Sequence, residues 1–305
     1  MQLLFIVLPI FLLIALGYGL RHSGIITRDG ISVLNNFAYF VALPALILMS
    51  FWNIDWLDAN TQNTLLLNTL FITIAAAILF SLVKLLPVSP DKQAGIFAAG
   101  LVGNTIYMGF PIGERALTAE SFYLYVAAAT PHLVFGIVLT ILVIEWLIFS
   151  SQRPAQYVKD FLLNPLILSL LAGIGLSISG VTGLVIDLVK EVAQMLAVTA
   201  SPIALVGLGA FLYGIFRPQL ALWGLFATSI KVVVLPIVVF LVGSLLGVDS
   251  VMLLASILAA AMPTAVTSFV IAERYNAAPE LVATTLFIST ITSLVTLSLL
   301  LFLML

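Results

Sequence analysis

The chain has 305 residues, of which 63% are hydrophobic and only 8% charged, with a formal net charge of −2 and no cysteine. Soluble domains carry about 25% charged residues, so a water-exposed fold is excluded; the missing thiol rules out disulfides and thiolate metal sites, and no basic cluster suits a nucleic acid. The few charges separate long uncharged runs, each enough for the roughly 20 helical residues that cross a bilayer core, and these runs lack the alternation of a membrane barrel.

Ten helices are predicted in chain order. The first, roughly 2–20, lacks the basic start and small-residue cleavage site of a signal peptide and is read as a membrane span. The second, 31–53, carries Pro44, and the third, 64–86, has no intramembrane carboxylate. The fourth, 94–114, is rich in helix-weakening residues: Gly100, Gly103, Gly109, Gly113 and Pro111. The fifth, 121–147, carries His132, and a cytoplasmic linker follows over 150–161. After it come helices over 162–179, 190–214 (with Pro202), 220–246, 250–272 (with Pro263) and 280–304. Lys231 lies mid-way along the eighth, five residues before Pro236.

Lys and Arg set the orientation. Connections after odd-numbered helices hold Arg21, Arg28, Lys84, Lys92, Arg153, Lys159, Arg217 and Arg274; the opposite side holds only Arg115 and Lys190. The basic side is therefore cytoplasmic, and both termini are expected outside. The halves also repeat weakly. LPALIL in the second helix and SPIALV in the seventh, Glu114-Arg115 and Glu273-Arg274, and Gly103-Asn104 and Pro263-Thr264 share an offset of 158 to 160 residues. Five helices per repeat, an odd number, invert the second repeat (162–305) relative to the first (1–149), an arrangement found in secondary transporters. The expected fold is thus an all-α integral membrane protein with ten transmembrane helices, a 5+5 inverted repeat, and crossed, interrupted helices 4 and 9.

Non-helical backbone survives in a membrane only when buried in protein or lining a cavity. Proline removes one helical hydrogen bond and clashes with the carbonyl four residues back. Both the fourth and the ninth helix are therefore expected to open near mid-membrane, with Gly103, Gly109, Pro111 and Pro263 as crossover or hinge positions. Half-helix N-termini then offer partial positive charge to an anion, and Asn104, Thr105, Thr264, Thr267 and Ser268 supply hydrogen bonds, with Tyr107 as a cavity-lining candidate. The competing reading takes the glycines as close helix contacts.

Lys231 is the one charge deep inside a span. A buried cation costs on the order of 3 kcal/mol on insertion scales, so it faces protein or water. It is either a lure for a carboxylate or a structural lysine bonded to carbonyls freed by Pro236. His132 is the mid-membrane group that titrates near neutral pH, and with Glu114 and Glu273 it forms the set of possible proton or ion sites. Glu114 and Glu273 also have the alternative of interfacial pairing with Arg115 and Arg274.

NFAYFVALPALIL at Asn36–Leu48, GNTIYMGFPIG at Gly103–Gly113 and FVIAERYNAAPELVATTLFIS at Phe269–Ser289 resemble the auxin efflux carrier family, which includes plant PIN carriers and bacterial malonate-type permeases. The resemblance implies ten helices with crossed helices 4 and 9, a homodimer built through a scaffold of helices 1, 2, 6 and 7, and transport of organic anions. The chain departs from the plant carriers in its short central linker, in Gly103 where they carry proline, and in a third helix without an intramembrane carboxylate. These departures favour small carboxylates over auxin. The expected function is secondary active transport of small organic anions by alternating access at the crossover, in the cell (inner) membrane, with no cofactor and with possible coupling to H+ or Na+. A sodium-coupled symporter of the bile-acid type and an anion channel are the alternatives. No metal-binding or hydrolytic motif supports an enzyme.

Overall fold

The computed structural model describes residues 2–119, 121–149 and 163–304. Glu120 and the linker expected over 150–161, with Arg153 and Lys159, lie outside the described residues. Twelve helices are described: α1 (Gln2–His22), α2 (Arg28–Trp52), α3 (Ala59–Leu85), α4 (Pro90–Leu101), α5 (Gly109–Ala116), α6 (Phe122–Ile144), α7 (Pro165–Ser179), α8 (Leu184–Leu212), α9 (Pro218–Leu245), α10 (Ser250–Ala261), α11 (Val266–Tyr275) and α12 (Pro279–Met304). A π turn, Glu145–Phe149, extends α6. Among the described residues there is no strand, only one isolated β-bridge. Six helices are long and apolar enough to cross a membrane: α2, α3, α6 with its extension, α8, α9 and α12. Shorter apolar stretches are Ile6–His22 of α1, α7 and α10.

The predicted boundaries hold to within a few residues except at the third helix, which starts at Ala59 rather than 64, and the seventh, which starts at Leu184 rather than 190. In the seventh, Asp187 lies on the first turn, where the sequence suggested a loop. Local chemistry sets several ends. The Thr27 hydroxyl accepts from Gly30 N at the start of α2, Asn164 Oδ1 accepts from Leu166 N ahead of Pro165 in α7, and Asp249 Oδ1 accepts from Val251 N and Met252 N in α10. Each side chain satisfies a donor that the first helical turn leaves unpaired. Two long helices contain a π turn just before a proline: Ala38–Ala42 ahead of Pro44, and Ile230–Val234 ahead of Pro236. A widened turn accommodates the ring and the missing N–H without breaking the helix.

The described residues divide into two compact units. One comprises 2–11, 63–149 and 214–304; the other comprises 12–62 and 163–213. The second therefore gathers most of α1 with α2, α7 and α8, the grouping that the family resemblance implies for a scaffold. In lipid, apolar burial drives helix association weakly, and close packing of small residues takes over. A methyl on Gly17 would lie 2.0 Å from Val206 O, and one on Gly209 would lie 1.9 Å from Ile14 O, so α1 and α8 touch backbone to backbone at both glycines. In the first unit, Phe71, Val239, Leu253, Ile257 and Ala260 form a buried apolar cluster uniting α3, α9 and α10. Nearly every residue of α10 is buried, as are Gln93–Leu101 of α4. These two short helices form the inside of that unit.

Candidate functional site

Both predicted interruptions are present, and they meet. The fourth predicted helix is divided into α4 and α5 by residues 102–108; the ninth is divided into α10 and α11 by residues 262–265. Gly103 and Thr264 form an antiparallel bridge pair. Asn104 N donates to Pro263 O (2.7 Å), and Ala265 N donates to Val102 O (3.0 Å). Side chains complete the closure. The Thr264 hydroxyl donates to Ala99 O (2.8 Å), and that of Ser268 donates to Val102 O (3.2 Å). Ser289 Oγ on α12 accepts from Thr264 N (3.2 Å), and Tyr125 on α6 donates to Thr105 O (2.9 Å). Each unpaired backbone group would cost several kcal/mol in a membrane interior, so the open backbone here is satisfied chiefly by the opposite break.

Three polar groups remain underused around this crossover. Lys231 on α9 is 0% exposed, and its ammonium donates to Ala260 O at the end of α10 (2.7 Å). An ammonium has three donors, and this is its one hydrogen bond among the described residues. A methyl on Gly103 would lie 2.9 Å from Lys231 Nζ, so the charge rests directly against the break. The next residue, Asn104, is buried, and its Nδ2 has no partner. His132 on α6 is buried, lies within electrostatic range of Lys231, and has an unpartnered Nε2. One turn further along α6, a methyl on Gly136 would meet the Val102 side chain at 4.0 Å, so this face of α6 looks onto the break. No Asp or Glu is buried as a whole residue among the described residues, although one carboxylate oxygen of Glu145, after the end of α6, is buried without a partner. Lys231 is thus a buried ammonium without a carboxylate partner among the described residues, against the break that carries the unpartnered Asn104 Nδ2 and within electrostatic range of His132. Chemically, this arrangement offers an ammonium and polar groups that the chain itself leaves unpaired.

The remaining sequence candidates take different places. Thr264 and Ser268 have hydroxyl protons committed to Ala99 O and Val102 O, so toward a guest they present lone pairs rather than donors. Thr105 is buried and contributes its carbonyl to Tyr125; Tyr107 and Thr267 are half-buried. Pro263 is the turning point of the second break, whereas Pro111 lies in the first turn of α5, where its missing N–H costs nothing. Gly109 and Gly113 pack against Tyr125: methyl groups there would lie 1.8 Å from its hydroxyl and 2.9 Å from its ring. Gly100 packs against Leu79. The glycines therefore divide, with Gly103 facing the ammonium and the others serving close contact. Glu114 and Glu273 are exposed at the far ends of α5 and α11. Lys231 bonds a carbonyl of another helix, not one freed by Pro236 on its own. Sequence reasoning missed Tyr125 and Ser289, which hold the crossover through single hydrogen bonds; an aromatic and a serine within apolar helices give no distinguishing signal. It also missed Thr228, a buried hydroxyl without a partner one turn before Lys231.

Comparison with known proteins is consistent with this architecture. The model of a family described as membrane transport protein matches residues 3–159 and 155–301. An uncharacterized transporter of Methanocaldococcus jannaschii is 22% identical over 317 residues, covering 96% of each chain. A second uncharacterized transporter, from Methanothermobacter thermautotrophicus, is 23% identical over 301 residues, covering 96% of this chain and 95% of the relative.

Proposed function

The chain belongs to the membrane transport protein family, and we propose that it is a secondary carrier of small organic anions that binds its substrate at the crossover of the two interrupted helices. One observation carries this reading: among the described residues Lys231 is fully buried with a single hydrogen-bond partner and no carboxylate partner. A buried charge left uncompensated costs about 3–5 kcal/mol. A substrate carboxylate supplies the missing counter-charge, with Asn104 Nδ2 as a hydrogen-bond donor and His132 Nε2 as a second polar contact. Ala98, Ala99 and Gly100 of α4 and Ala259, Ala260 and Ala261 of α10 are small buried residues next to the two breaks, which suits a compact acid better than a large aromatic one.

Alternating access follows as the mode of transport, with the unit that contains the crossover carrying the substrate and the α1, α2, α7 and α8 unit serving as the frame of a homodimer. The reading takes the twelve helices as ten membrane passes, α4 with α5 and α10 with α11 each making one, in two inverted repeats. Matching interruptions about 160 residues apart support it. The charge distribution supports a cytoplasmic-membrane location with both termini outside.

Thermal unfolding of the purified protein against a panel of small mono- and dicarboxylates tests the assignment, because a ligand that binds the folded state raises its apparent stability. At least one carboxylate is expected to give a saturable rise. Lys231→Gln is expected to weaken its binding roughly 30-fold, about 2 kcal/mol, and Asn104→Ala to weaken it about tenfold or more. A panel without a shift, or unchanged affinity in both variants, defeats the reading. Saturable uptake with counterflow distinguishes the carrier from a channel.

A further inference from the structure

We infer that the Lys231 ammonium is a resident cation, seated where a half-helix ends, and takes the position that a dissociable coupling cation would otherwise fill. The last carbonyls of a helix have no partner within it, and its C-terminus carries roughly half a negative charge. In carriers with broken helices, such C-terminal ends and unwound carbonyls coordinate the coupling ion. Here α10 ends at Ala261, and Lys231 Nζ, arriving from α9, donates to Ala260 O at 2.7 Å. Three further carbonyls of the crossover are also occupied by donors of the chain itself. Ala99 O accepts from the Thr264 hydroxyl, Val102 O from Ala265 N and the Ser268 hydroxyl, and Pro263 O from Asn104 N. A sodium ion needs several such oxygens at once, together with an acidic ligand or a bound anion to balance it. These three oxygens are bonded to protein protons, and the positive charge is already present on a tether.

The backbone shape is matched to this arrangement. Lys231 lies within the π turn Ile230–Val234 that precedes Pro236, and a π turn rotates the side chains after it relative to a regular helix. Gly103 leaves the space that the ammonium uses: a methyl there would come within 2.9 Å of Nζ and 3.0 Å of Cε. The positive charge that an anionic substrate meets is consequently present in every cycle without recruitment of a metal ion. In transport terms the inference rests on the anion-carrier reading above, but its test uses cations alone, so the two fail separately.

The experiment measures thermal unfolding of the purified full chain in chloride salts with no carboxylate present. For the wild-type protein, NaCl and choline chloride at equal ionic strength are expected to give the same Tm. Lys231→Ala removes three methylenes and the ammonium, and is expected to unfold at lower temperature. Propylammonium, which restores the lost atoms, is expected to raise the variant's Tm saturably, by about 3 °C at tenfold excess over its Kd, and to leave the wild type unchanged. Propan-1-ol fills the same space without charge and is expected to have no comparable effect. A saturable sodium-induced rise in the wild type overturns the inference, as does equal rescue by propan-1-ol. Lys231→Met retains an unbranched side chain without the charge, and its folding with undiminished Tm also overturns it. The wild-type sodium titration decides even if Lys231→Ala does not fold.

Discussion

Single atoms decide the chemistry of this crossover. Gly103 is the glycine whose missing side chain leaves room for a charge, because its nearest neighbour is the ammonium of Lys231 and not another apolar group. Gly103→Ala introduces one methyl at about van der Waals overlap with Nζ and Cε, and the lysine tip must shift. The fold is expected to survive, since the obstructed atoms end a flexible side chain, while the Ala260 hydrogen bond lengthens. Carboxylate affinity, read by titration of the thermal shift, is expected to fall about tenfold, corresponding to roughly 1.4 kcal/mol. Unchanged affinity would show that the ammonium does not need its present position. The same scale separates Asn104 from Thr264: they come from matching places in the two breaks, but the asparagine keeps an unpartnered Nδ2 while the threonine hydroxyl is bonded to Ala99 O. Similar position does not make them equivalent binders.

At the scale of elements, the two short helices on either side of each break are held by a few specific contacts. Tyr125 secures α5 to α6 in two ways: its hydroxyl donates to Thr105 O, and its ring fills the faces of Gly109 and Gly113. Gly109→Ala places a methyl 1.8 Å from that hydroxyl, so the tyrosine must leave its position and its hydrogen bond. A destabilisation of about 1–3 kcal/mol is expected from overpacking. Tyr125→Phe removes the obstructing oxygen at the cost of about 1 kcal/mol for the lost bond. In the double variant the two effects are expected not to add, with a coupling of at least about 0.5 kcal/mol. Strict additivity in a double-mutant cycle of unfolding would show that Gly109 does not meet Tyr125. The glycine-rich stretch GFPIG was legible either as weakened helix or as a close helix contact, and the tyrosine facing Gly109 and Gly113 supports the close contact.

For the whole molecule, the division of charges predicts how the chain lies in its membrane. The natural absence of cysteine makes single introduced thiols direct reporters. Ser23, Ser89, Thr118 and Ser179 are all exposed. Thiols at Ser23 and Ser89 are expected to react in intact cells only with a permeant maleimide. Thiols at Thr118 and Ser179 are expected to react first with an impermeant reagent added outside. The reverse pattern would invert the orientation, and a mixed pattern would contradict ten passes. The two compact units each draw on both halves of the sequence, so the boundary between repeats and the boundary between units are different divisions of one chain.

The sequence by itself determined the all-helical membrane character, because long apolar runs with charges between them leave the backbone no other way to satisfy its hydrogen bonds in lipid. It also located both interruptions, since Gly and Pro weaken a helix through local backbone chemistry. Which polar groups remain available at the crossover was decided only by the tertiary structure. Thr264 and Ser268 look as available as Asn104 when read along the chain, yet their protons go to carbonyls of α4 and the break that follows it, more than 160 residues away. The seat of Lys231 is likewise a carbonyl 29 residues distant on another helix. Hydrogen bonds between separate helices depend on where those helices pack, and no local pattern of residue types encodes that meeting.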